Sequence, residues 1–356
     1  MTIDFDQWVK TALSGQVISK QESLAILENP DIDLLRLIAA AGEVRMATFG
    51  RKVMLHRINN IQNGLCPEDC GYCGQSQISK APVKKYPIKS EDAIVQEAHE
   101  AKAQGVYRYC MVSSGRGPTL ERTQYLAQVI RRINAEVGIK TCLSIGLIDA
   151  EQAKLLKESG LDRLNHNLNT SERHTPDIVR THSFQDRIKT LQAAQQAGLD
   201  LCSGMIVGMG ESNQDILEVA YKLREMDVPS IPINFLIPIP GNPIFDCNQL
   251  TPQRCLRILC LFRFVNPKAE IRLGGGREGH LRGMQALALY PANSLFVEAY
   301  LVTRGSPVNQ VYQLIRDAGF ELAGDPIPEP EFSSSAHYQL DDNPNIFNPQ
   351  TTTVES

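Results

Sequence analysis

Three cysteines within eight residues, Cys66, Cys70 and Cys73, carry the densest chemistry in this sequence. They stand at C-x3-C-x2-C in the string Cys66-Pro67-Glu68-Asp69-Cys70-Gly71-Tyr72-Cys73, shortly after a strand-like run over 53–59. Thiolates so close together can converge on one inorganic centre. A structural zinc site takes four closed ligands, commonly from two C-x2-C pairs, and no second pair follows. A four-iron cubane held by three cysteines leaves one iron without a protein ligand. Such an open iron is a reactive site rather than a staple. On composition alone, a set of ordinary thiols in a loop is the plain alternative.

Four further residues lie in strand-like runs. Cys110 falls in Tyr109-Cys110-Met111, Cys142 in Thr141-Cys142-Leu143, Cys202 in Cys202-Ser203-Gly204 and Arg272 in Ile271-Arg272-Leu273. A strand cysteine is most often a small buried hydrophobe. Three on different strands of one barrel could instead share a ligand, if each falls on the inward phase of its strand. For Arg272 the plain reading is an ion pair with a carboxylate such as Glu270 or Glu278. Spacing leaves both open.

The elements that would position these residues alternate. Residues 2–50 read as helices, with a capping box at Ser19-Lys20-Gln21-Glu22 and an apolar face on Leu34, Leu35, Leu37, Ile38 and Ala41. Strand candidates follow at 53–59, 106–112, 140–145, 163–169, 199–207, 231–237, 270–273 and 294–297. Helices between them begin at Ser90, Asp149 and Ser183 and end at Gly105, Gly160 and Gly198, which are ordinary cap residues. Eight strands separated by helices make a parallel sheet, and about 250 residues fit closure into a (β/α)8 barrel. The alternative, an open doubly wound sheet, lacks its G-x-G-x-x-G after the first strand. The expected organisation is a helical extension over 1–50, the barrel over 51–322, and a disordered tail rich in Pro, Ser and Thr over 323–356. Barrel chemistry sits at the C-terminal ends of the strands, so the cysteine loop belongs at that mouth.

Bulk properties narrow the class. The chain has 356 residues, 42% of them hydrophobic, which is ample for a large core. A formal net charge of −4 speaks against a nucleic-acid binder. Nine cysteines, an odd count, with no signal-like N-terminus point to a reducing compartment, metal ligation and some buried thiols. No apolar run approaches the roughly 20 residues of a membrane span. The expectation is a soluble, cytoplasmic protein with no membrane or nucleic-acid partner.

The loop C-x3-C-x-aromatic-C, with Tyr72 as the aromatic, resembles the cluster loop of radical S-adenosylmethionine (SAM) enzymes. The longer string from Asn63 to Ser76 resembles the biotin synthase family in particular. The strand contexts of Cys110, Cys142, Cys202 and Arg272 match that family's ligands to a second cluster, three cysteines and an arginine. Asn165-His166-Asn167-Leu168-Asn169-Thr170-Ser171, Gly204-Met205-Ile206-Val207-Gly208-Met209-Gly210-Glu211 and Gly274-Gly275-Gly276-Arg277-Glu278 resemble further family strings, so the likeness runs from about residue 30 to 322. Lipoyl synthases carry an extra N-terminal cysteine motif that is absent here.

The resemblance implies an enzyme that inserts sulfur into dethiobiotin to form biotin, the final step of biotin biosynthesis. It implies a [4Fe-4S] cluster on Cys66, Cys70 and Cys73, a [2Fe-2S] cluster on Cys110, Cys142, Cys202 and Arg272, and SAM. Tyr72, Asn169, Arg187 and Ile206 would hold SAM; Asn167 and Asn234 would bind the ureido ring of dethiobiotin. Also implied are a flavodoxin- or ferredoxin-type electron donor, iron–sulfur assembly proteins to rebuild the consumed cluster, and a homodimer. Arg187 could equally be a surface helix arginine, and His166 reads as a hydrogen-bonded core histidine. Two positions depart from the pattern. Residue 169 is Asn where some members have Asp, and Ser113-Ser114-Gly115-Arg116 replaces the superfamily's Gly-Gly-Glu, so backbone groups there would support the SAM amino acid. Cys247, Cys255 and Cys260 match no cluster position, and the last two read as core. The competing readings are another radical SAM enzyme of this barrel type, a non-catalytic iron–sulfur carrier or sensor, and a zinc-stabilised barrel.

Overall fold

Alternation of β-rich runs with capped amphipathic helices closes into a barrel in the computed structural model, which describes residues 3–245 and 250–324. Three helices, α1 (Phe5–Leu13), α2 (Lys20–Glu28) and α3 (Leu34–Phe49), precede strand β1 (Lys52–Gln62). There follow α4 (Glu91–Ala103), β2 (Arg108–Ser113), α5 (Leu120–Glu136), β3 (Lys140–Ser144), α6 (Ala150–Glu158), β4 (Arg163–Asn165), α7 (Thr175–Ile178) and α8 (Phe184–Gln196). The second half holds β5 (Asp200–Cys202), β6 (Met205–Val207), α9 (Asn213–Glu225), β7 (Ser230–Phe235), α10 (Pro252–Val265) and β8 (Glu270–Leu273). Short turns α11 (Arg277–Leu281) and α12 (Gln285–Ala288) lead to β9 (Ser294–Val297), α13 (Val308–Asp317) and β10 (Glu321–Leu322).

Every pairing is parallel. The order runs β1-β2-β3-β4-β5-β7-β8-β9, and β9 pairs back onto β1, with Met54 opposite Ser294 and Arg57 opposite Val297. Because β6 continues the line of β5 and pairs with β7, the barrel has eight strand positions. The end strand β10, which the sequence reading did not predict, adds parallel to the start of β1.

Two predicted strands are shorter than expected. The run 163–169 is regular strand only through Asn165, and 199–207 breaks at Ser203-Gly204 into β5 and β6. Side chains replace the ladder there. The Gly204 amide donates to Asn167 Oδ1 at 3.1 Å, and the Leu168 amide to Ser203 Oγ at 3.2 Å. The ladder resumes with the Asn169 amide on the Gly204 carbonyl at 3.0 Å and the Ile206 amide on the Asn169 carbonyl at 2.9 Å. Polar residues that compete with backbone partners end strands in this way.

The predicted caps are present. Ser19, Asp149 and Ser183 each close a capping box, the last with Asp186 at the third helical position. Outside the barrel, Trp8 stacks edge-on against Phe264 of α10 with ring centroids 6.0 Å apart, and Tyr221 of α9 donates to the Ile18 carbonyl at 2.6 Å. The N-terminal helices therefore pack against α9 and α10. Cys255 and Cys260 of α10 are fully buried among apolar neighbours, as expected of core thiols. Cys247 and residues 325–356 lie outside the described residues. No helix among the described residues is long and apolar enough to cross a membrane.

Candidate active site

The loop after β1 leaves the barrel at its C-terminal end and carries the three cysteines. Two acidic residues of the loop tie it down. Asp69 Oδ1 accepts the amides of Arg180 and Thr181 at 2.9 and 3.0 Å, and Glu68 accepts from Thr181 Oγ1 at 2.6 Å, from Arg116 Nη1 at 3.1 Å and from His182. Multiple donors hold both carboxyls below their usual range despite burial. Burial raises the thiols: Cys70 goes up to about 12 with the charges of Cys73 and Cys66 adding to the effect, Cys66 rises with that of Glu68 adding, and Cys73 with that of Cys66. Thiols in this state are protonated and inert until a metal displaces the proton. The Gly115 amide reaches Cys66, so the segment replacing Gly-Gly-Glu does touch the loop through its backbone.

Tyr72 lines the cavity inside the barrel and accepts a hydrogen bond from Asn169 Nδ2. Asn169 has a positive φ of 67°, a conformation that Asn and Asp tolerate better than other side chains. Ile206 packs beside Cys70, Met209 and Leu236. Arg187 is 6% exposed, so it is not a surface arginine. Its Nη1 donates to the Asn167 carbonyl at 2.7 Å and its Nη2 contacts His182 Nε2 at 2.5 Å. That contact makes His182 Nε2 the acceptor, leaving Nδ1–H for Glu68. His166 is buried as expected of a core histidine, but among the described residues its Nε2 has no hydrogen-bond partner. Burial and the nearby Arg187 push its pKa well below the usual histidine value.

Deeper in the barrel, Cys110, Cys142 and Cys202 meet as one cluster with Phe296. Cys110 and Cys142 are register partners on β2 and β3, and the Cys142 thiol is hydrogen-bonded to both Cys110 and Cys202. Arg272 Nη1 points at Cys202 Sγ, 3.5 Å away. The predicted ion pair with Glu270 is present, and it leaves Nη1 facing Cys202; Glu278 pairs with Arg277 instead. The Cys142 hydrogen bond and the Arg272 charge pull the Cys110 thiol below its usual value, while Cys142 is pushed up to about 12.

Between the two cysteine sets lies a cavity of about 250 Å³, lined by Tyr72, Cys73, Cys110, Cys142, Asn167, Ile206, Asn234 and Arg272 among others. Cys66, Cys70, Cys202, Asn169 and Arg187 stand behind its wall. Asn167 Oδ1 is taken by Asn165 and Gly204, and among the described residues its amide N–H groups have no partner. Asn234 Oδ1 accepts the Gly275 amide at 2.9 Å. Sequence reasoning missed Asn165, which lines the cavity and donates to Cys202 Sγ at 3.2 Å, and His56, whose Nδ1 is 3.9 Å from Cys110 Sγ. The two-residue periodicity of strands, read outward from Asn167 and Ile58, was the available signal.

Among the described residues no three Cys, His, Asp or Glu side chains already surround a single point in coordination geometry. A [4Fe-4S] core takes three cysteines on three of its irons, whereas a [2Fe-2S] core shares three cysteines and an arginine between its two irons. Clustered thiols beside arginine charge, Arg187 near Cys70 and Arg272 near Cys110 and Cys202, suit an anionic iron–sulfur core in both places.

The fold and this pairing of a mouth loop with an inner thiol set define a class, the radical SAM enzymes. The profile of the radical SAM superfamily matches residues 61–223, and that of the Biotin and Thiamin Synthesis associated domain matches 232–321. Within that class the chain belongs to the biotin synthase family. It is 74% identical over 340 residues to the biotin synthase of Acaryochloris marina, covering 96% of this chain and 98% of that one. It is 50% identical over 311 residues to that of Magnetococcus marinus, covering 87% and 97%. The barrel superposes on methylornithine synthase with a TM-score of 0.76 at 19% identity, covering 89% of this chain and 97% of that one. A FeFe-hydrogenase maturase from Carboxydothermus hydrogenoformans gives 0.76 at 19%, covering 90% and 79%. At such identity these two speak for the fold alone.

Proposed function

We propose that this chain converts dethiobiotin to biotin, with Cys66, Cys70 and Cys73 holding a [4Fe-4S] cluster and Cys110, Cys142, Cys202 and Arg272 a [2Fe-2S] cluster. The observation that carries the reading is the convergence of three cysteines and one arginine from four strands at the floor of the same cavity whose mouth bears the three-cysteine loop. When bound, the clusters and SAM supply an electron, a 5′-deoxyadenosyl radical that takes hydrogen from unactivated carbon, and the sulfur that is inserted.

The chain's own part is placement. Tyr72 and Ile206 line the cavity and Asn169 is hydrogen-bonded to Tyr72; the three suit the nucleoside of SAM. Arg187, a buried cation behind Asn167, suits its carboxylate and steadies the Asn167 backbone. The free amide N–H groups of Asn167 and the carboxamide of Asn234 offer donors and an acceptor to an uncharged ureido ring. The apolar remainder of the wall, with Phe296 and Tyr300, excludes water from a reactive carbon. The one-electron donor would be flavodoxin- or ferredoxin-like, and replacement of the inserted sulfur would need iron–sulfur assembly proteins. A homodimer in the cytoplasm fits this reading.

The test is anaerobic incubation of reconstituted protein with SAM, reductant and dethiobiotin, with 5′-deoxyadenosine and biotin quantified together. About two deoxyadenosines per biotin are expected, one for each carbon attacked. A Cys202→Ala variant should lose biotin formation yet retain SAM cleavage. Deoxyadenosine without biotin from the fully reconstituted wild type would move the assignment to another substrate.

A further inference from the structure

Behind Cys202 a single carboxylate organises a buried charged network. Glu270 is 4% exposed, Arg272 1% and His56 0%. Glu270 precedes Arg272 by two residues on β8, so both side chains take the same face of the strand, toward the lumen. Its Oε2 accepts from Arg163 Nη1 at 2.8 Å. Its Oε1 accepts from Ser294 Oγ at 2.8 Å, from Arg272 Nε at 3.1 Å and from Arg272 Nη2. His56 Nε2 stands 3.0 Å from the same oxygen but off the line of a good hydrogen bond. The remaining hold on Arg272 is Ser230 Oγ, which accepts from Nη2 at 2.7 Å.

A guanidinium is planar and offers five N–H donors in a rigid fork. Here the Nε–Nη2 edge is taken by Glu270, and Nη2 also by Ser230. Only Nη1 is left to face a sulfur, at 3.5 Å from Cys202. The carboxylate is itself fixed from two further directions by Arg163 and Ser294, so it cannot swing with the arginine. Without it, two buried guanidinium groups would share the space with no anion, and Arg272 would keep only the Ser230 hold on Nη2, leaving its plane able to turn about the Cδ–Nε bond. Phe296, whose ring centre is 5.2 Å from the guanidinium carbon, constrains the plane's tilt but not which nitrogen points where.

We propose that Glu270 is a positioning residue that fixes the orientation of Arg272 and so selects Nη1 as the arginine nitrogen presented to the auxiliary cluster. This rests on the reading that Arg272 is a ligand of that cluster. Glu270 touches neither the substrate cavity nor a sulfur; it acts through the arginine.

The experiment uses protein labelled with ¹⁵N-guanidino arginine, reconstituted with both clusters, with the [2Fe-2S] cluster reduced and its nitrogen hyperfine coupling read by pulsed electron paramagnetic resonance. Wild type should show one strong ¹⁵N coupling. In Glu270→Gln, an isosteric change that removes the charge, that coupling should fall at least threefold or split into several, with iron and sulfide content unchanged. A coupling identical to wild type in Glu270→Gln would overturn the proposal while leaving Arg272 as ligand. No ¹⁵N coupling in wild type would overturn the ligand reading and the proposal with it. Should the Glu270→Gln chain not fold, Ser230→Ala removes the second hold on Nη2 and keeps every ion pair. It should weaken the coupling about twofold, and an unchanged coupling there would equally count against a clamped arginine.

Discussion

At the scale of single residues, Arg187 shows how burial separates two readings that sequence leaves level. Its position on α8 fits a solvated helix face, yet the side chain runs inward to the Asn167 carbonyl and His182. A buried cation whose partners are a neutral imidazole nitrogen and a backbone carbonyl has capacity for an anionic ligand. Replacing it with alanine removes a charge-assisted contact worth about 1.5–3 kcal/mol. Arg187→Ala should therefore lower kcat/KM for SAM at least tenfold, read as 5′-deoxyadenosine release at varied SAM, with the ultraviolet–visible cluster spectrum unchanged. A normal SAM dependence would leave the arginine a purely structural role. Asn169 was harder to judge from sequence than Arg187, because its positive φ belongs to a turn beyond β4 that bridges to Met205 of β6.

At the scale of elements, the break between β5 and β6 is the feature with the clearest local cause. A Cβ on Gly204 would lie 1.8 Å from the Pro232 carbonyl oxygen, so β7 approaches that residue as closely as a bare backbone allows. Gly204→Ala must push β7 outward or tilt Cys202, two residues earlier, out of the thiol cluster. Destabilisation by about 1–3 kcal/mol is expected, typical of overpacking in a core. It would be measured by urea unfolding of the iron-free protein, and a midpoint within 0.2 M (roughly 0.4 kcal/mol at ordinary slopes) of wild type would contradict the close approach. The helices between strands were legible because capping is local chemistry: Ser90, Asp149 and Ser183 announce their termini within four residues. Strand ends were not, because Asn167 and Ser203 stop the ladder by reaching across to a neighbouring strand.

At the scale of the whole molecule, the barrel interior sets a pH dependence. His166 and His56 are buried and held neutral, His56 down to about 3 by burial first and the Arg272 charge second. The unfolded chain binds a proton at each near pH 6.5. Between that value and the folded pKa the unfolded state holds more protons, so stability is full above about 6.5 and falls as the pH drops. The loss is about 1.4 kcal/mol per pH unit for each such histidine. Urea unfolding of iron-free protein at pH 7.5 and 5.5 should show this fall, and His166→Gln should flatten it by one histidine's share. Equal stability at the two values would mean that these rings find protons or water inside the fold.

What the sequence determined by itself was whatever depends on near neighbours in the chain: the C-x3-C-x2-C loop, the eight β-rich runs with their capped helices, and the strings that resemble one enzyme family. Alternation of strand and helix leaves a parallel sheet few ways to bury both faces, so closure followed from the pattern. Tertiary structure alone decided which side chains share a face and a layer. Cys110, Cys142, Cys202 and Arg272 lie on four strands spread over more than 160 residues, and only the register of a closed barrel brings them together. The same register sets Glu270, Arg163, Ser230 and Ser294 around the arginine. Their identities are visible in the sequence, but a buried charge network has no local signature, because its partners are chosen by distance across the barrel and not by separation along the chain.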